Sequence, residues 1–281
     1  VKVTVYEVGP RDGLQSLSHV VPTEKRRELI NALYNAGIEH IEEVSFVHPK
    51  ILPQMADAEA VFTGKGSVLV LNQRGFERAM ACGAEKVNIV LSPCETFCMR
   101  NMGKRHGELM LTYRQMLNNY SKEKVRVYIS MAFGSPDSGS FGRKHLQNMV
   151  RDAKMFGDTV VFADTVGCAS PSDISVAASV AFENEMTPAL HLHHRGDESQ
   201  AISLVRAGLL AGIRQFDSSI GGLGGCPFAE GSGANLATET LVRHLNAWGF
   251  ETGIDERSLQ AAEQIAMRLK NALSSDIMTV V

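Results

Sequence analysis

Residues 159–193 read TVVFADTVGCASPSDISVAASVAFENEMTPALHLH. A short apolar run, Thr159–Ala163, comes first. Ser170 and Pro171 follow, an N-capping residue type ahead of a proline at the first helical position. Pro171–Asn184 has helical length, and Ala189–His193 is a second short apolar run. Strand, helix, strand in that order is the repeating unit of a parallel sheet. Outward from here the unit recurs over the whole chain. Strands are expected at Val3–Val8, His40–Phe46, Val68–Leu71, Lys86–Val90, Val125–Met131 and Gln215–Ser218. Helices are expected at Thr23–Ala36, Gly75–Cys82, Lys104–Tyr120, Lys144–Phe156, Glu198–Ala211 and Ala234–Trp248. Eight strands, each followed by a helix, predict an α/β fold of the (β/α)8 TIM-barrel type. Asp255–Ala272 reads as an additional C-terminal helix. An open doubly wound sheet shows the same alternation, so the pattern leaves closure undecided.

Bulk properties narrow the function. A chain of 281 residues suits one barrel of roughly 250 residues. Residues 1–281 are therefore expected to form a single catalytic domain, although two conventional domains also fit the length. Lys and Arg number 28 against 31 Asp and Glu, which excludes an electrostatic binder of nucleic acid or membrane surfaces. No apolar run is long enough to span a membrane. The start, VKVTVYEVGPRDG, lacks the basic and apolar segments of a signal peptide. Cys82, Cys94, Cys98, Cys168 and Cys226 are odd in number and irregularly spaced, which fits a reducing, cytoplasmic location. Cys94 and Cys98 have no second pair nearby, so no zinc site is expected there.

In a barrel the active site lies at the C-terminal strand ends. Polar residues gather there: Glu7, Arg11 and Asp12 after the first strand, Glu42 and Ser45 on the second, Asp164 and Thr165 on the sixth. His191 and His193 follow on the seventh and Asp217 on the eighth. Residues i and i+2 of a strand share a face, so His191 and His193 can bind one metal together; two hydrogen-bonded histidines are the plainer reading. Asp12 can add a hard oxygen ligand, and the Arg11 fork can hold an oxyanion. A turn with a local ion pair would look the same. Between Gly221 and Asn235 five glycines fall within eleven residues around Cys226. Glycines let backbone approach a ligand, and a thiol in such a loop can act as nucleophile or proton donor. The loop lacks the P-loop pattern.

EVGPRDGLQ (7–15), IEEVSFVHPKILPQMAD (41–57), ADTVG (163–167), HLH (191–193) and GGLGGCPFAEGSGANLATETLV (221–242) resemble the 3-hydroxy-3-methylglutaryl-CoA lyase family. The likeness runs in order from residue 3 to about residue 255. The wider DRE-TIM metallolyase superfamily also holds isopropylmalate and homocitrate synthases and pyruvate aldolases. The resemblance implies Asp12, His191, His193 and Asn235 as ligands to a divalent metal, Mg2+ or Mn2+. It implies Arg11 as the residue stabilising an enolate, Glu42 as part of the catalytic network, and Cys226 as proton donor to the product carbanion. Asp164 and Thr165 match positions near substrate. Gln15, Ser45 and Asn101 match positions near the thioester or the CoA arm. A homodimer is the usual assembly.

Two departures bear on the substrate rim. His194–Ser199 carries about two extra residues, and Ala234 stands where the family usually has glycine. Neither removes a ligand. The implied reaction is retro-Claisen cleavage of a 3-hydroxyacyl-CoA to acetyl-CoA and a keto acid. His191, a water and Asp12 are the candidate bases. A related substrate such as citramalyl-CoA, a condensing or aldolase reaction on the same barrel, and a catalytically silent metal-binding barrel are the competing readings.

Overall fold

The structure is a computed structural model of the chain, and it describes residues 1–225 and 233–272. Eight strands form one parallel sheet: β1 (Thr4–Glu7), β2 (His40–Ser45), β3 (Ser67–Leu69), β4 (Lys86–Leu91), β5 (Val125–Ile129), β6 (Thr159–Asp164), β7 (Thr187–His194) and β8 (Gln215–Ser218). Closure is settled by β8. It pairs with β1 from Thr4↔Gln215 to Glu7↔Ser218, and with β7 at Phe216↔Leu190 and Asp217↔His191. The fold is thus the closed (β/α)8 barrel, with no free edge in its barrel sheet.

Side-chain alternation explains why these segments are strands. Val68, Val87, Ile89, Val127, Ile129, Val160, Phe162, Leu190 and Phe216 point outward into the main core under the helices. Leu69, Val90, Tyr128, Val161 and Ala189 form a separate cluster inside the barrel.

The helices are α1 (Thr23–Asn35), α2 (Ala58–Val61), α3 (Gln73–Ala81), α4 (Glu95–Met102), α5 (His106–Met116), α6 (Arg143–Ala153), α7 (Pro171–Glu183), α8 (Glu198–Leu210), α9 (Thr238–Ala247) and α10 (Glu256–Asn271). The α7 cap is as expected. Ser170 Oγ accepts from the Asp173 amide, while the Asp173 carboxylate accepts from the Ser170 amide. The additional C-terminal helix is α10, which packs on α1 and α9. Among the described residues no helix is long and apolar enough to cross a membrane.

Two expectations need correction. The helix read from Lys104 is preceded by a separate one, α4, which ends at Gly103 in the left-handed conformation (φ 65°). The helix read from Ala234 starts only at Thr238. Ala234 and Asn235 instead pair antiparallel with His194 and His193. Gly233 makes that approach possible, since a Cβ there would lie 1.8 Å from the His194 carbonyl oxygen.

Candidate active site

After β1 the chain makes one wide turn, Gly9–Gly13, in which the amides of Arg11, Asp12 and Gly13 all point at the Val8 carbonyl. This turn sets Arg11 and Asp12 at the mouth of the barrel. Arg11 is almost completely buried. Its Nε donates to Glu42 Oε2 at 2.5 Å, Nη2 meets the same oxygen, and Nη1 donates to Asp12 Oδ1 at 2.7 Å. Three of the five guanidinium N–H groups are thus engaged, which leaves one on each terminal nitrogen for a ligand. Burial works against the Arg11 cation, but Glu42 and Asp12 outweigh it and hold the pKa above its ordinary value.

Asp12 also accepts from Gln15 Nε2 at 3.0 Å and from Asn235 Nδ2 at 2.8 Å. Burial pushes its carboxyl up, yet Arg11, His191 and Asn235 bring it down to about 2, so it is ionised. One ligand atom each from Asp12, His191 and His193 lies within 4.8 Å of the others.

The two histidines differ in support. His193 Nδ1 lies 3.2 Å from the Asp164 carbonyl oxygen, and His191 Nδ1 lies 3.4 Å from Asp217 Oδ2. Burial and the neighbouring His191 lower the His193 pKa to about 4, so that ring is neutral and able to ligate. For His191 burial also lowers the pKa, but Asp217 and Asp12 outweigh it and the net shift is upward.

The site fits a divalent cation. Among the described residues, His193 Nε2 and Asn235 Oδ1 are buried with no hydrogen-bond partner. Asn235 spends its Nδ2 on Asp12 and on the Leu223 carbonyl, 2.9 Å away, which leaves Oδ1 as the unused acceptor. Two imidazoles, a carboxylate and an amide oxygen form a donor set for a hard or borderline divalent ion.

Arg11, Asp12, His191 and His193 line a cavity of about 110 Å3. Gln15, Ser45, Asn101 and Thr165 all line it, with an apolar wall that includes Leu69, Leu71, Val90 and Phe97. Asn101 and Phe97 arrive on α4, the unforeseen helix. Thr165 Oγ1 also accepts from the Met131 amide at 2.9 Å. The Asp164 carboxylate instead binds the turn amides of Cys168 (2.8 Å) and Ala169 (3.1 Å), and Ala163 and Thr165 face the cavity beside it. Glu42 lies behind Arg11, held by Asn88 Nδ2 at 2.7 Å. Cys226 lies outside the described residues.

Sequence reading named Asp217 but missed the partners that hold it below the cavity. Arg126 Nη2 donates to Asp217 Oδ1 at 2.5 Å, and the Tyr128 hydroxyl donates to Asp217 Oδ2 at 2.7 Å. The Arg126 guanidinium lies 3.9 Å over the Tyr6 ring. A signal existed: Arg126 and Tyr128 alternate with valines in an otherwise apolar strand, so both had to point into the barrel.

A family profile described as HMGL-like matches residues 2–266. The mitochondrial hydroxymethylglutaryl-CoA lyase of Mus musculus is 33% identical over 98% of this chain and 88% of its own length. The crystal structure of the Brucella melitensis HMG-CoA lyase superposes with a TM-score of 0.88 at 30% identity, covering 96% of this chain and 99% of that one. An HMG-CoA lyase from Acinetobacter baumannii, solved in complex with coenzyme A and 3-methylmalate, gives a TM-score of 0.87 at 31% identity, covering 96% of this chain and 91% of that one. With the barrel, the profile and the relatives in agreement over nearly its whole length, the chain belongs to the HMGL-like family and is a carbon–carbon lyase of the hydroxymethylglutaryl-CoA lyase type.

Proposed function

We propose that this lyase cleaves a 3-hydroxy-3-methylglutaryl-CoA-like thioester to acetyl-CoA and a keto acid, acetoacetate for that substrate, with Mg2+ or Mn2+ bound at Asp12, His191, His193 and Asn235. The observation that carries this reading is the convergence of Asp12, His191 and His193 beside Arg11 on the cavity wall, with Asn235 hydrogen-bonded to Asp12 behind them. A CoA thioester is supported by the Acinetobacter relative, which was solved with coenzyme A. One hydrophobic cluster running from Val3 to Leu269 supports a single catalytic domain.

In the reaction the C3 hydroxyl loses its proton, C3 becomes the ketone carbon and the C2–C3 bond breaks. C2 leaves as the acetyl-CoA enolate and is then protonated. A bound divalent cation supplies Lewis acidity that makes the hydroxyl easier to deprotonate. The two free N–H groups of Arg11 meet the enolate oxygen, and Glu42 keeps the fork from turning away. Among the candidate bases Asp12 is the weakest, since its carboxylate already accepts from Arg11, Gln15 and Asn235. His191, once its Nε2 is on the metal and its Nδ1 faces Asp217, has no free nitrogen for that step, which leaves a water as the base. Family resemblance assigns the final proton to Cys226.

A panel of 3-hydroxyacyl-CoA thioesters, citramalyl-CoA among them, incubated with Mg2+ or Mn2+ and read by mass spectrometry, tests this. Acetyl-CoA and a keto acid are expected, with turnover lost in chelator and in Cys226→Ala. Turnover only in the condensing direction would replace the lyase reading. Undiminished turnover after verified metal removal would sink the metal requirement.

A further inference from the structure

The HxH pair is held unequally. His193 Nδ1 rests on a neutral backbone carbonyl, whereas His191 Nδ1 faces a carboxylate, Asp217, from the neighbouring strand in direct register. Asp217 is 1% exposed and cannot swing. Arg126 donates to one of its oxygens and Tyr128 to the other. The Tyr128 ring also stands edge-on to His191, at 6.1 Å between centroids and 78° between planes. Anchor and side wall are therefore one residue. His191 Nδ1 is buried away from the cavity that the ring itself lines and makes no hydrogen bond among the described residues, the Asp217 carboxylate at 3.4 Å being the acceptor that faces it. Nε2 is the nitrogen left to face Asp12 and His193. A carboxylate behind Nδ1 keeps the ring proton there and frees the Nε2 lone pair.

We propose that Asp217, clamped by Arg126 and Tyr128, is a positioning residue that fixes the tautomer and orientation of His191 so that Nε2 is presented to the metal. The proposal rests on the metal reading above. It explains why a charged pair and a phenol occupy the barrel floor, where apolar side chains would fill the space without desolvating ions. It also makes the two histidines inequivalent. His191 depends on a side chain that can be substituted, and His193 on a carbonyl that cannot.

The test uses the full chain and Mn2+ alone. Metal-free wild type, Asp217→Asn and Tyr128→Phe are titrated with MnCl2, and free Mn2+ is read by electron paramagnetic resonance. With Arg126 still donating to the amide oxygen, the Nδ2 introduced by Asp217→Asn would replace the oxygen that faces both Tyr128 and His191, so the Tyr128 hydroxyl must turn to accept, donor meets donor at His191 Nδ1, and the ring must change tautomer. Mn2+ affinity is expected to fall about 10–100-fold in Asp217→Asn, and in Tyr128→Phe by a smaller factor. In metal-free wild type, 15N–1H correlation of histidine-labelled protein should find the His191 proton on Nδ1, the signal being assigned by its loss in His191→Gln. A folded Asp217→Asn that binds Mn2+ as wild type does overturns the proposal and leaves the metal reading intact. A His191 proton on Nε2 overturns it whether or not Asp217→Asn folds. A wild type that binds no Mn2+ at millimolar concentration overturns the metal reading and this proposal with it.

Discussion

Arg11 shows how much one side chain can be asked to do. It is buried, paired with two carboxylates, and still presents N–H groups to the cavity. Arg11→Met should lower kcat by about 10²–10³-fold, the usual cost of losing one oxyanion donor. It should also destabilise the barrel by up to about 3–5 kcal/mol, because Glu42 loses its buried cation and must stay charged without it or take up a proton. Arg11→Lys separates the two effects. It restores a cation beside Glu42 but not the planar fork, so its melting temperature should recover more than its kcat. A variant whose loss is confined to KM would make Arg11 a binding clamp instead.

Between elements, Glu7 is the joint. Its carboxyl, at the end of β1, accepts from the amides of Gly9 (2.7 Å) and Ile220 (3.0 Å) and touches Thr238 Oγ1 at the start of α9 (2.5 Å). Thr238 Oγ1 also lies 2.8 Å from Ser218 Oγ. Thr238 donates to Glu7, and the Ser218 hydroxyl can donate to Thr238 in turn, so what chiefly opposes the Glu7 charge is its burial. Burial raises the Glu7 pKa from 4.5 to about 7 despite those donors. An acid whose folded pKa is raised stabilises the fold below its unfolded pKa and loses that contribution as pH rises. Stability should therefore fall by about 3 kcal/mol between pH 4.5 and 7, at about 1.4 kcal/mol per unit. In Glu7→Gln, where the amide mimics the neutral acid, that component of the slope should vanish in urea titrations. A second joint is Gly224, with φ at +107° and an added Cβ only 2.4 Å from Asn235 Nδ2. Gly224→Ala should displace Asn235 and weaken Mn2+ binding by about tenfold or more. Unchanged affinity would show that Asn235 is not a ligand.

At the scale of the whole molecule, the proposed metal site would tie together the β1 turn, β7 and the two-residue strand at Ala234–Asn235. A ligand that binds only the folded state stabilises it by about 2.7 kcal/mol at a hundredfold excess over Kd. Saturating Mn2+ should therefore raise the melting temperature of chelated protein by roughly 5 °C or more for a domain of this size. His193→Ala should remove most of that rise while its metal-free melting curve stays near wild type. The sequence alone determined the eight strands, because a period of two and runs of β-branched residues are local properties that need no partner. It also determined the class of chemistry. His191 and His193 share a face by strand geometry alone, and the RDG and glycine-rich segments carried the family resemblance. Closure of the sheet was decided only by β8 reaching both β1 and β7. So was the antiparallel pairing that turns Asn235 toward Asp12, where local pattern reads helix. The pairing of Arg126 and Tyr128 with Asp217 was likewise decided only in the closed barrel, since β5 and β8 lie far apart in sequence. Which charge meets which across a barrel is set by the register of the closed sheet, a long-range quantity that no local pattern encodes.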